Sequence, residues 1–178
     1  MDIKHKVILD FERLHVSETG SSGTMEKEGL SRILKRFKNA DITVATLATD
    51  RSPQIKAMMR NKDFEEVDHQ FDVWHFNKSV VKKLHKACKE KEMEQLRRWI
   101  PAISNHLWWA AATCQNDAVL LKEKWISDLL HTSNVHTWTS VTKFMKCAND
   151  DLDPTDDKEW LVPGDPQHET LHKIVTNG

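Results

Sequence analysis

The 178-residue sequence contains no tyrosine, only 5 glycines and 3 cysteines, and almost no net charge. The cysteines (Cys88, Cys114 and Cys147) are odd in number and form no Cys-x-x-Cys pair, which argues against an extracellular disulfide framework. Long apolar runs are missing too. The longest, Leu107 to Cys114, falls far short of the roughly 20 residues that a membrane-spanning helix needs. Met1 to Arg13 mixes charges of both signs, unlike a secretory leader, so a soluble intracellular protein with no membrane partner is the default expectation. With 26 Lys and Arg against 27 Asp and Glu, the chain as a whole is no nucleic-acid-coating polycation. A glycine-rich phosphate loop, a Gly-x-Ser-x-Gly elbow and a His-Glu-x-x-His helix are all absent, which removes the P-loop, serine-hydrolase and zincin readings.

Apolar residues make up 39% of the chain and charged residues 30%, but the apolar ones are clustered, so global disorder is not expected. From Lys6 to Val16, apolar Val7, Leu9 and Phe11 alternate with Asp10 and Glu12, the period of a half-exposed strand. After a turn-rich stretch, Thr24 is a candidate N-cap for a helix whose stripe is Leu30, Ile33, Leu34 and Phe37. Ile42 to Thr49 carries no charge and reads as a strand covered on both faces. Pro53 then suits the first position of a short helix. Val67 to His75 is a further strand candidate. This order predicts an α/β layer.

The character changes after His75. Asn77 is a candidate cap for a helix with Val80, Val81, Leu84 and Cys88 on its apolar face. Met93 to Leu107 predicts a second helix, bent near Pro101, and Asn116 to His131 a third. Five of the 7 tryptophans lie between residues 74 and 125. Asn149 to Glu169 holds eight acids and one lysine with three prolines and reads as a loose loop. The divisions predicted are an α/β core over residues 1–76, a helical lobe over 77–148 and an acidic, proline-containing tail over 149–178.

Asp50 stands directly after the predicted buried strand. In open α/β sheets ligands gather beyond the carboxyl ends of strands, where a carboxylate suits Mg²⁺, although the same aspartate equally serves as a helix cap or a partner of Arg51. Asp72 and His75 end the next predicted strand, and adjacent strands would bring the two features together. From Lys78 to Arg98 there are eight Lys and Arg against three Glu. Lys78, Lys82, Lys83, Lys86, Lys89, Arg97 and Arg98 therefore form a candidate DNA-binding face, or else a solvated helix surface. His131, His136 and Cys147 are ligand types for Zn²⁺, with Cys114 a possible fourth. Their spacing matches no zinc module, and Zn²⁺ is not expected.

TMEKEGLSRILKRF, ITVATLATDR, HQFDVWHFNKSVVKKL, WIPAISNHLWW and LKEKWISDLLH, in that order, resemble transposon-derived proteins of animal genomes that are similar to DDE transposases. The resemblance implies a partial ribonuclease H-like sheet with an α-helical, Trp-rich insertion lobe. It also implies Mg²⁺ or Mn²⁺ held by two Asp and a Glu for cutting and joining DNA, in the nucleus. Asp50 matches the second acid, as both catalytic residue and metal ligand, and Asp72 with His75 the Asp-x-x-His signature that follows it. The first Asp is expected upstream of Met1 and the Glu beyond Gly178. Asp2 and Asp10 sit too late for the former, and Glu123 lies inside the lobe. Relatives often carry His at the position of Ser52 and Cys-x-His where Cys147-Ala148-Asn149 stands, which further weakens the zinc reading. The expectation is a fragment that is inactive alone and binds DNA at most. The alternatives are a module that binds a protein partner or a second copy through its tryptophans, and a small metal hydrolase using Asp50, Asp72 and His75 together.

Overall fold

The computed structural model describes residues 1–2, 4–139, 142–148 and 159–177. The chain is a mixed α/β protein divided into two compact units, Met1–Asp72 and Val73–Gly178. Among the described residues no helix is long and apolar enough to cross a membrane.

In the first unit, helix α1 (Val16–Thr19) leads to the long helix α2 (Ser22–Asn39). Its N-cap is Ser21, whose Oγ accepts the Thr24 amide, so the helix starts before the Thr24 cap read from the sequence. Strand β1 (Thr46–Thr49) is followed by α3 (Pro53–Met59), capped by Ser52 with Pro53 in its first turn. A 3-10 turn (Lys62–Phe64) then leads into β2 (Asp68–Phe71). The strands pair in parallel, Thr46 opposite Asp68 and Thr49 opposite Phe71, so α3 is the crossover of a βαβ unit. Leu34 of α2, Ile55, Met58 and Met59 of α3, and Phe64 form the core beneath Leu47.

Three expectations for this unit are corrected. β1 is not covered on both faces: Leu47 and Thr49 are half-buried while Thr46 and Ala48 are exposed, because the sheet has two strands and one helical layer. Val67–His75 is not one strand, since pairing ends at Phe71 and Val73 is already helical. Residues 8–15 form no strand, and Phe11 is 80% exposed. Their alternation has another cause. Asp10 and Glu12 dock on α2, with Asp10 2.8 Å from the Arg36 guanidinium and Glu12 reaching both Arg36 and Arg32. The polar face is the one that is held, and Leu14 lies against the α2 backbone at Gly29, where an added methyl would be 3.2 Å from Leu14 Cδ1.

The second unit is helical: α4 (Val73–Ala87), α5 (Glu94–Thr113), α6 (Ala118–Ile126), α7 (Asp128–His131) and α8 (Pro166–Thr176). Asn77 lies within α4 rather than capping it, and its side-chain amide donates to Ser104 Oγ at 2.9 Å. α5 runs on through Pro101. The helix read from Asn116 to His131 starts at the Asp117 cap and is split at Ser127. Val80, Leu84, Leu96, Ile103, Leu161 and Leu171 are among the core residues.

The C-terminal region is not the loose loop read from its charge. Residues 149–158 lie outside the described residues, but Leu161 and the α8 residues Leu171 and Val175 are buried in the helical core. Gln167 Oε1 accepts the Leu96 amide at 2.8 Å, satisfying a donor in the first turn of α5. Leu171→Ala is expected to cost about 2–5 kcal/mol of stability, measured by urea unfolding followed at 222 nm. A detached tail would show no change.

Candidate functional site

The parallel register of β1 and β2 places two acids side by side. Thr49 pairs with Phe71, so the residues that follow, Asp50 and Asp72, occupy equivalent positions at the carboxyl edge, and the Asp72 amide donates to Thr49 O at 2.9 Å. The two carboxylates offer oxygens within 4.8 Å of each other, Asp50 exposed and Asp72 half-buried. Beneath them, His69 Nε2 and Thr49 Oγ1 lie 2.8 Å apart across the strands, and burial pushes the His69 imidazole below its ordinary value. Hard carboxylate oxygens at this spacing suit one Mg²⁺ or Mn²⁺ ion that keeps several waters. Among the described residues no third carboxylate joins the pair, as two-metal chemistry would require.

His75 sits in the first turn of α4, in the helical unit, three residues along the chain from Asp72 and edge-on to the Trp74 ring at 4.7 Å. Lys78, Lys82, Lys83 and Lys86 project from α4, and Lys89 follows its end; all five are exposed. Lys78 lies over the Trp74 ring at 4.4 Å, whereas among the described residues Lys82, Lys83, Lys86 and Lys89 have no ion-pair partner. Arg97 and Arg98 are committed elsewhere, Arg97 to the Cys88 carbonyl and Arg98 to Glu159 at 3.0 Å. The cationic surface is thus the lysine face of α4.

The tryptophans are mostly internal. Trp99, Trp125 and Trp138 are buried and Trp109 and Trp160 half-buried, which leaves Trp74 (48% exposed) and Trp108 (43%) at the surface. Glu123 is likewise in structural use: its carboxylate accepts the Thr142, Lys143 and Phe144 amides. Its burial favours the neutral form, but those hydrogen bonds prevail and hold it below its ordinary value.

A second cluster lies wholly within the helical unit. His131, His136 and Cys147, three of the zinc-ligand types read from the sequence, converge with one ligand atom each within 4.8 Å of the others. Cys114 does not join them and bonds the Ala111 carbonyl. Nearby, Asp128 is fully buried with Oδ2 unpartnered, while Lys124, four residues earlier, donates to Thr113 O and Oγ1. Sequence reasoning missed Asp128. The available signal was a single acid inside Trp125–Leu130, a stretch that is apolar apart from it and Ser127.

No family model, curated protein or solved structure matches the chain.

Burial pushes the Asp128 carboxyl up to about 7 from 3.8. Between those values the folded chain holds a proton that the unfolded chain has released, so stability falls as pH rises through this window and levels off above it. In chelator-containing buffer, Asp128→Asn is expected to flatten this slope, gaining on the order of a few kcal/mol at pH 8 relative to pH 4. Urea unfolding at the two pH values checks it, and an unchanged slope contradicts it.

Proposed function

We propose that this chain is a DNA-processing module of the transposase kind, with a partial ribonuclease H-like sheet, that holds a single Mg²⁺ or Mn²⁺ ion and grips DNA without cutting it. The observation that carries the reading is the Asp50–Asp72 pair at the carboxyl edge of two parallel strands, where a hard cation finds two oxygen ligands. The α4 lysines support it, because a phosphodiester backbone is held by cations that are not neutralised internally. The non-cutting assignment rests on the donor count: two carboxylates serve one ion, whereas the two-metal chemistry of cutting and joining DNA, which stabilises both the attacking and the leaving oxygen, needs a bridged pair. A partner-binding module built on tryptophans has less support, since only Trp74 and Trp108 remain exposed.

Fluorescence anisotropy with labelled duplex DNA tests the first part. Affinity should fall linearly with log salt, with a slope of about −0.9 per phosphate contact. Replacing Lys82, Lys83 and Lys86 with Ala should make that slope shallower by about 2–3, and their replacement with Glu should abolish binding. Salt-independent binding, or binding indifferent to these lysines, removes the DNA reading.

Mn²⁺ binding followed by electron paramagnetic resonance should be lost in Asp50→Asn and in Asp72→Asn. Plasmid DNA should stay intact with wild-type protein in Mg²⁺ or Mn²⁺. Cleavage that disappears in Asp50→Asn would overturn the non-cutting assignment.

A further inference from the structure

The helical unit holds a set of soft and borderline ligands that the carboxylate site does not use. His131 ends α7. His136 and Cys147 face each other across a short antiparallel ladder, in which the Cys147 amide donates to His136 O at 2.8 Å, Thr137 bridges Lys146, and the Trp138 amide donates to Met145 O at 2.9 Å. Sequence spacings of five and eleven residues, which fit no standard zinc module, are thereby closed in space by one helix end and one hairpin.

The geometry matches a metal polyhedron. Cys147 Sγ lies 3.4 Å from His131 Nδ1. Zn–S and Zn–N bonds at a tetrahedral angle separate sulfur from nitrogen by about 3.5 Å. The imidazole rings of His131 and His136 meet edge-to-face at 5.1 Å, and the Trp160 ring stands edge-on to both at 6.0 and 5.8 Å, fixing their orientation. All three ligands are half-buried, which shields the site while leaving an approach.

An independent feature points to the same place. A cavity of about 330 Å³ is lined by His131 and Cys147 together with His106, Trp109, Ser127 and Asp128. Asp128 is 2% exposed, and its Oδ2 has no hydrogen-bond partner. A buried carboxylate oxygen without a partner is costly in an empty apolar pocket. Next to a cation carrying a water it has an acceptor's role and balances charge. His106 lines the same cavity, with its Nε2–H donated to the Lys124 carbonyl at 2.5 Å, but its ring nitrogens are not among the ligand atoms that converge with His131, His136 and Cys147.

We propose that His131, His136 and Cys147 bind one Zn²⁺ ion, with a fourth coordination position open to the cavity beside Asp128. A thiolate with two imidazoles selects Zn²⁺ over Mg²⁺, because sulfur and nitrogen donors are soft where Mg²⁺ demands oxygen. Binding releases the Cys147 thiol proton to solvent and fastens the hairpin to the end of α7. The site is separate from the Asp50–Asp72 pair and stands or falls without it.

The test is a Co²⁺ titration of the full chain, reduced and stripped with chelator. One Co²⁺ per chain is expected, with a thiolate-to-cobalt charge-transfer band and the intense visible absorption of a four-coordinate ion, both displaced by one equivalent of Zn²⁺. Cys147→Ser should lose the charge-transfer band, His136→Ala should weaken binding at least tenfold, and Cys114→Ser should change neither. No charge-transfer band in the wild type, or one that survives Cys147→Ser, overturns the proposal. A second measurement needs no variant. Zn²⁺ should protect Cys147 but not Cys114 from alkylation, as read by mass spectrometry of the wild-type chain, and equal protection or none overturns it.

Discussion

An indole can be buried only if its N–H finds an acceptor, and the helical unit is organised around that requirement. Trp99 Nε1 donates to Glu159 O at 2.9 Å and Trp125 Nε1 to Val175 O at 3.2 Å. Both acceptors lie in the C-terminal segment, fifty or more residues downstream. The same segment returns polar contacts to the start of α5, where Gln95 Nε2 donates to Trp160 O at 2.7 Å, and it adds Leu161, Leu171 and Val175 to the apolar interior. Trp160, held in this way, packs on Trp99 and on the two histidines. The orientation of the candidate zinc ligands therefore depends on the contacts that bury the tryptophans.

The first unit solves a different problem. Two paired strands are marginal alone, and here they gain from the apolar layer of α2 and α3 beneath them. The extended N-terminal segment is held by charge instead. The Arg36 guanidinium keeps the Asp10 and Glu12 carboxyls below their ordinary values, and Arg32 adds to the effect on Glu12. The carboxyls are half-buried and the Arg36 side chain is more exposed, so solvent still reaches the clamp, which weakens with salt and as pH falls through the lowered carboxyl range. The consequence for the candidate site is indirect but firm: parallel pairing in register is what sets Asp50 beside Asp72.

Several features were legible in the residues. Pro53 announced α3, the stripe from Met93 to Leu107 announced α5, and the charge break after Thr49 marked Asp50 as a strand-end acid. In each case the signal comes from a side chain acting on its own backbone or from the period of a single element. Burial was less legible. Ile42–Thr49 is apolar enough for a central strand, yet the described sheet offers β1 one neighbour and one covered face. The alternation at Val7–Glu12 was real, but its acidic side met arginines where its apolar side met water. In the C-terminal region, eight acids masked an amphipathic helix whose buried residues are only Leu171 and Val175.

Caps, helical periods and the acid closing β1 are local matters, since each involves groups within about one helical turn of one another. Long-range partnership leaves no such trace. Nothing periodic joins Trp99 to Glu159, or His131 and His136 to Cys147, because loop closure can bring almost any two chain positions together at modest entropic cost. Which of those encounters occurs depends on simultaneous burial of apolar side chains and satisfaction of their polar atoms. The residues able to bind metal, and the meeting of Asp50 with Asp72 at the ends of adjacent strands, could thus be read from the chain, whereas the convergence of His131, His136 and Cys147 emerged from packing.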